Sequence, residues 1–227
     1  MKTALITGAS SEIGLSIAKR LEKKYNLILI KHKNEIDITN FTKIPKLLTC
    51  NFNDKNSVKE LLKKLKNTKI DLLINLAAYD QNEEINNISL KDFEKTFQIN
   101  LITPFLLIQQ LFNKYDDGII INVSSTDGID TYNEYNLTYA TSKAALIHMT
   151  KQLSLYYSNL NIYALCPNYI NTKSVNAMEP KFLESELKRV NQNKLIEVKD
   201  VVDKIENLIT TLPKEIIIRM EWYNGYI

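Results

Sequence analysis

Seven short apolar runs punctuate the chain: ALITG (4–8), NLILI (26–30), KLLTCNF (46–52), DLLINLAA (71–78), GIIINVSS (118–125), NIYALCP (161–167) and EIIIRM (215–220). Each is nearly continuous rather than alternating, as expected of strands covered on both sheet faces. Between them, patterns of helical period predict helices over 12–24, 54–66, 91–114, 136–158 and 199–211. Strands alternating with helices specify an α/β fold built on a parallel sheet with right-handed crossovers. The 31–45 connection is short and polar, so a full helix is not expected there. Residues 173–198 lack strand character and carry a charged, weakly amphipathic stretch, KFLESELKRV. With no internal repeat, low-complexity segment or linker, the pattern predicts one domain over residues 1–227.

Composition narrows the class. The 29 basic and 26 acidic residues leave a net charge of +3 and are interspersed, which argues against a nucleic-acid partner. No apolar run reaches the ~18 residues of a membrane span. Met1 and Lys2 lead straight into the first strand, leaving no room for a signal peptide. Cys50 and Cys166 lie in apolar, strand-like contexts and are expected to be buried and reduced, which points to a cytoplasmic protein. His32 and His148 have no metal-ligand spacing around them, so no metal is expected.

The chain has only 5 glycines, yet two of them fall within TGASSEIG (7–14). A glycine turn between a strand and a helix presents backbone N–H groups and the positive helix end to an anion, which is how such turns hold phosphate. Gly8 supplies the tight turn, Gly14 the close helix packing, and Ser10 and Ser11 add hydroxyls. Farther on, YATSK places Tyr139 and Lys143 four residues apart on one helical face. A nearby ammonium favours the phenolate and would lower a tyrosine pKa towards working pH. The strand-ending stretch INVSSTDG offers hydroxyls at Ser124, Ser125 and Thr126 just ahead of that helix.

Taken together these segments resemble the short-chain dehydrogenase/reductase family, and in particular its 3-oxoacyl-acyl-carrier-protein reductase-like members. Thr7, Gly8 and Gly14 match the T-G-x-x-x-G-x-G fingerprint, while Glu12 stands at the middle glycine. A carboxylate there would repel a pyrophosphate unless it points to solvent at the helix N-terminus, where the dipole favours acids. NLAA (75–78) looks like the family's N-N-A-G element, with Asn75 and Ala77 matching and Ala78 in place of glycine. CPNYINT is similar to the P-G-x-[IV]-x-T segment: Pro167, Ile170 and Thr172 match, and Asn168 replaces glycine. The S-x-x-G frame ending at Gly128 selects Ser125, 14 residues before Tyr139. FQINLITPF supplies Asn100.

The resemblance implies a single-domain Rossmann fold with a doubly wound, seven-stranded parallel sheet. It implies hydride transfer between a nicotinamide and a carbonyl or secondary alcohol, the small-molecule substrate. Tyr139 is then the general acid/base, Ser125 the donor to the reacting oxygen and Lys143 the group that lowers the tyrosine pKa and binds the nicotinamide ribose. Asn100 holds a water of the proton relay. Implied cofactor contacts are Gly8, Ser10, Ser11, Ile13, Gly14, Lys31, Asn51, Phe52, Asn75, Ala77, Tyr139, Lys143, Pro167, Ile170 and Thr172. Asn51 stands where the family usually has an adenine-binding acid, and residues 173–198 fall where a substrate lid is expected.

LIKHK (29–33) has no acid before Glu35, whereas NAD-specific members of this fold place one near the end of the second strand. The positive charge favours a 2′-phosphate, so NADP is the expected cofactor and NAD the alternative. LITPFLLIQQLF is apolar nearly all round, and with the family's usual contact it predicts a homodimer or homotetramer. A competing reading is a non-catalytic dinucleotide-sensing module. A nucleotide-sugar epimerase is disfavoured because only 60 residues follow Pro167.

Overall fold

In the computed structural model, which describes residues 1–113 and 117–221, the chain forms one seven-stranded parallel sheet in the order β3-β2-β1-β4-β5-β6-β7. The strands are β1 Lys2–Thr7, β2 Tyr25–Lys31, β3 Lys46–Thr49, β4 Leu72–Asn75, β5 Gly118–Val123, β6 Leu160–Pro167 and β7 Ile217–Met220. The helices are α1 Glu12–Leu21, α2 Lys55–Leu65, α3 Leu90–Phe97, α4 Thr103–Phe112, α5 Leu137–Tyr156, α6 Lys173–Asn176, α7 Pro180–Arg189 and α8 Val198–Thr211. All seven predicted strands form, and no helix spans 32–45. Each sheet face is covered: Ile17, Leu21, Val201 and Ile205 of α1 and α8 pack on one, and Leu61, Leu65, Leu107 and Leu111 of α2 and α4 on the other. The nearly unbroken apolar runs follow from that double coverage.

Local signals start the helices. Ser11 Oγ accepts the Gly14 N–H at 3.0 Å and caps α1, and Ser89 Oγ accepts the Asp92 N–H at 3.1 Å and caps α3. The strands stop earlier than their apolar runs suggest: β3 ends at Thr49 rather than 52, β4 at Asn75 rather than 78, and β5 at Val123 rather than 125. The residues beyond leave the ladder at the C-terminal edge, where Phe52, Leu76 and Ala77 wall a cleft together with the polar Asn51 and Ser125. The predicted helix 12–24 ends at Leu21, because the chain must turn into β2 at Tyr25.

The predicted helix 91–114, whose last residue lies outside the described ones, divides into α3, a π turn over Gln98–Ile102 and α4. Pro104 has no N–H to give the Asn100 carbonyl, and the ladder widens so that the Thr103 N–H donates to Gln98 O. Ile102 and Phe105 are partly exposed on this stretch. In 173–198 the amphipathic stretch becomes α7, and Ile196 pairs with Ile170 as an isolated parallel bridge, a strand contact not anticipated there. Cys50 and Cys166 are free and buried.

A polar chain crosses the sheet interior. Asn75 Nδ2 donates to Asn122 Oδ1 at 2.8 Å, Asn122 Nδ2 to Thr150 Oγ1 at 2.9 Å, and Thr150 Oγ1 to Leu146 O at 2.7 Å. It ties β4 to β5 and β5 to α5, and all three side chains are buried. Buried polar groups are costly only when unpaired. Asn122→Ala, which takes the acceptor from Asn75 Nδ2 and the donor from Thr150 Oγ1, should lower unfolding stability by about 2–4 kcal/mol in urea denaturation.

Candidate active site

The sheet order reverses between β1 and β4, so the connections leaving those strands diverge and open a crevice at their C-terminal ends. A cavity of about 730 Å³ occupies it, bordered by the β1–α1 turn, the end of β2, the chain after β3 and the chain after β4. A second cavity of about 360 Å³ continues it between β5, α5 and the segment after β6. Ile13, Leu76 and Ala78 belong to both walls, so the two form one cleft.

The β1–α1 turn is built for close approach. Gly8 has φ +66°, and a Cβ there would meet Ala77 N at 2.8 Å; a Cβ on Gly14 would meet Gly8 O at 2.4 Å. Ser11 satisfies the Gly14 N–H, leaving those of Glu12 and Ile13 without an intrahelical partner, as the first turn of a helix does. Glu12 is exposed, as expected, but it also has a specific partner: Oε2 accepts the Lys173 N–H at the start of α6, at 3.2 Å. The carboxylate is thus engaged across the cleft. Glycines that admit no side chain, a helix N-terminus and an elongated cavity fit a dinucleotide.

Gly8, Ser10, Ser11, Ile13, Lys31, Asn51, Phe52 and Ala77 line the larger cavity. Ser125, Tyr139, Lys143, Pro167, Ile170 and Thr172 line the smaller one, with Ile13 again. Three predicted residues do not line the cleft. Gly14 packs beneath it against Gly8 and Ala9. Asn75, expected beside the cofactor, turns its side chain inward to Asn122 because it sits within the β4 ladder.

Asn100, expected to hold a relay water, is buried in the π turn. Its Oδ1 accepts the Tyr79 N–H at 2.8 Å, and its Nδ2 reaches Tyr79 O and Ser142 Oγ, each at 2.9 Å. These contacts clamp the loop after β4 onto α5. The fingerprint glycine replaced by Asn168 needs no left-handed backbone, since among the described residues only Asn191 and Leu212 are non-glycines with positive φ.

The electrostatics differ from the expectation for the tyrosine–lysine pair. Lys143 Nζ lies 5.3 Å from the Tyr139 ring centre but donates to Val123 O at 2.8 Å. Burial lowers the Lys143 pKa to about 8. The Tyr139 pKa is pushed up rather than down, first by burial and then by the Asp80 and Asp127 carboxylates, with hydrogen bonding from Ser125 acting the other way. Ser125 is itself engaged: Oγ donates to Asp127 Oδ2 and accepts the Asp127 N–H, both at 3.1 Å. That carboxylate stands two residues after Ser125 in INVSSTDG, where nothing in the spacing marks it as the partner of the hydroxyl. Asp80 gave no signal, because only folding brings the loop after β4 to this wall.

The segment after β6 is anchored by another group the sequence did not reveal. Buried Glu186 on α7 accepts from Tyr169 Oη at 2.7 Å, Asn133 Nδ2 at 2.9 Å and Arg189 Nη2 at 2.6 Å. Arg189 also donates to Tyr132 O. Hydrogen bonds from Arg189 hold the Glu186 carboxyl below its usual range despite burial.

A parallel sheet with a glycine turn after β1 and a cleft at the switch point defines a dinucleotide-binding α/β fold. The short chain dehydrogenase profile matches residues 2–182, and the chain belongs to the short-chain dehydrogenase/reductase family. A 3-oxoacyl-acyl-carrier-protein reductase of Rickettsia conorii is 31% identical over 198 residues, 83% of this chain and 81% of that one. The oxidoreductase UcpA of Salmonella typhimurium is 31% identical over 186 residues, 75% of this chain and 70% of that one. Among solved structures, 4-hydroxyisoleucine dehydrogenase complexed with NADH superposes with a TM-score of 0.86 at 26% identity, covering all of both chains. The protein is an NAD(P)-dependent oxidoreductase.

The Lys143 environment makes a testable statement about stability. The amine titrates near pH 8 when folded, against an ordinary value of 10.5. Between those values the unfolded chain binds more protons at this site, so its contribution to stability rises with pH there. Urea denaturation from pH 7 to 10 should show the advantage of Lys143→Met over the parent shrinking as pH rises; a constant difference would contradict the assignment.

Proposed function

We propose that this chain interconverts a carbonyl compound and its secondary alcohol, with Tyr139 as general acid/base. The observation that carries the reading is that Ser125, Tyr139 and Lys143 line one cavity, and that this cavity shares walls with the cleft at the N-terminus of α1. Ser10, Ser11 and the N–H groups at the start of α1 would hold the pyrophosphate, Lys31, Asn51 and Phe52 would border the adenosine half, and Pro167, Ile170 and Thr172 the nicotinamide half. When bound, the nicotinamide supplies or accepts the hydride.

In the reduction direction Tyr139 gives its phenolic proton to the developing alkoxide, which suits a hydroxyl that its surroundings keep protonated. Ser125 turns its hydroxyl from Asp127 to the same oxygen and stabilises charge where it forms. Lys143 carries positive charge beside the phenol. Asn100 acts by fixing the Tyr79 backbone at the rim. Residues 173–198 serve as the substrate lid, held by Glu186 and by the Glu12 contact to Lys173.

Tyr139→Phe keeps the ring and removes only the proton-bearing oxygen. It should reduce turnover across a carbonyl panel by at least about 10²-fold, with nucleotide affinity by calorimetry within a few-fold of the parent. Retained turnover would sink the assignment, and absence of turnover in both proteins, with nucleotide still bound, would favour the dinucleotide-sensing reading.

The same reading assigns NADP over NAD. Lys31, His32 and Lys33 line the larger cavity at the end of β2, and no carboxylate lines that wall. Lys31 is ion-paired with exposed Glu35, four residues on, which would have to be displaced by a 2′-phosphate. Calorimetry should give a lower Kd for NADPH than for NADH, and Glu35→Gln should widen the gap. A Kd for NADH equal to or below that for NADPH would overturn the preference.

A further inference from the structure

On the carbonyl–alcohol reading, Tyr139 must recover its proton after each reduction, so the phenol needs a path from solvent. Asn100 is not free to build one. Both hydrogens of its amide go to protein, to Tyr79 O and Ser142 Oγ, each at 2.9 Å, and its Oδ1 takes the Tyr79 N–H. Lys143 is buried, with Nζ given to Val123 O at 2.8 Å. A different neighbour of the phenol has an outlet. The Ser125 hydroxyl, which hydrogen-bonds Tyr139, gives its own proton to Asp127 Oδ2 at 3.1 Å.

Ser125 Oγ has the valences that a relay needs. It donates one hydrogen to Asp127 Oδ2, one lone pair takes the Asp127 N–H at 3.1 Å, and the other is left for the phenolic hydrogen. Asn136, the residue before α5, holds the carboxylate in place through Nδ2 at 3.2 Å. Asp127 is half-buried and lines the smaller cavity, so its carboxyl meets solvent there, whereas Ser125 is buried. The charged groups facing Asp127 are Arg189, Asp80 and Glu186, and Arg189 is committed to Glu186 at 2.6 Å and 3.0 Å. Burial raises the Asp127 pKa, towards a carboxyl that can both hold and release a proton.

We infer that Asp127, acting through Ser125, returns the proton to Tyr139 between turnovers. This rests on the carbonyl–alcohol reading and adds the proton's path. In reduction the Tyr139 Oη–H bond breaks as the alcohol O–H forms, which leaves a phenolate. Ser125, turned to the reacting oxygen during that step, then returns to its place between Tyr139 and Asp127. Its Oγ–H breaks as Tyr139 Oη–H reforms, and the Asp127 carboxylic acid gives its proton to Ser125 Oγ. The resulting carboxylate takes the next proton from water. Oxidation runs the same transfers in reverse. Asp127 meets the reacting atoms only through Ser125, and so is a positioning residue that also stores a proton.

The test uses Asp127→Asn, which keeps the shape and an acceptor for Ser125 but carries no proton, with a melting curve reporting that it folds. The first readout is NMR of the protein with isotope-labelled tyrosine Cζ, without substrate or cofactor. The Tyr139 resonance, identified by its loss in Tyr139→Phe, should show a titration step as Asp127 ionises. That step should persist in Asp80→Asn and vanish in Asp127→Asn. The second is steady-state reduction of whichever of ethyl acetoacetate, cyclohexanone and benzaldehyde the parent turns over fastest. Asp127→Asn should lower kcat at least about tenfold with KM within about threefold, and imidazole in the buffer should restore kcat to within about threefold of the parent. An unchanged kcat, a loss that imidazole does not restore, or a Tyr139 signal blind to Asp127 would overturn the relay. Absence of hydride transfer in the parent with all three carbonyls would instead overturn the carbonyl–alcohol reading on which it rests. If Asp127→Asn does not fold, Ser125→Ala, which cuts the bridge, should lose the Tyr139 step, and a retained step would overturn the relay.

Discussion

The hydroxyl of Thr7 closes the seam on which the site depends. It stands at the last position of β1 and accepts the N–H groups of Leu76 and Ala77, the first two residues beyond β4, at 3.0 and 3.1 Å. These are the adjacent strands between which the sheet order reverses. One side chain therefore fixes how the two connections separate. Gly8 follows immediately and lies so close to Ala77 that a methyl group would collide with it. The width of the crevice, the aim of α1 and the course of residues 76–80 follow from that contact.

From this seam a second set of polar contacts carries position to Tyr139 and Lys143. Asn100 holds Tyr79 by both its N–H and its carbonyl and reaches Ser142 on α5, three residues beyond Tyr139. Asn122 links β5 to Thr150 two turns farther along the same helix. Ser124 Oγ donates to Lys143 O at 2.9 Å, and Lys143 Nζ returns to Val123 O. Helix α5 is thus pinned along its length by hydrogen bonds whose partners sit on the π turn, on β5 and just beyond it. Such contacts are directional where apolar packing is not, and they fix where Tyr139 and Lys143 meet the cavity.

Charge gives the cavity a character of its own. A tyrosine beside a lysine suggests a lowered phenol pKa, yet here the ammonium is tied to a carbonyl, and two carboxylates face the phenol. Burial then works on both members of the pair in the direction of neutrality. Asp80 and Asp127 come from different loops, one after β4 and one after β5, and meet only because those strands are neighbours.

The sequence by itself determined the seven strands, most of the helices between them, the glycine turn after β1 and the pairing of Tyr139 with Lys143 on one helix, because each is written in local periodicity or at fixed spacing. Apolar runs report burial on two faces, and a glycine turn ahead of a helix reports close backbone approach. Where those runs leave the sheet was not legible, since Phe52, Leu76 and Ala77 stay apolar while lining a cleft rather than pairing. Nor were the true partners of Asn75 and Asn100 legible, or the reach of Glu12 to Lys173, or Glu186 as the anchor of the segment after β6. Those are contacts between residues from 17 to 161 positions apart. Only tertiary structure decides them, because a side chain's hydrogen-bond partner is set by what the fold brings within 3 Å, and no spacing along the chain encodes that distance.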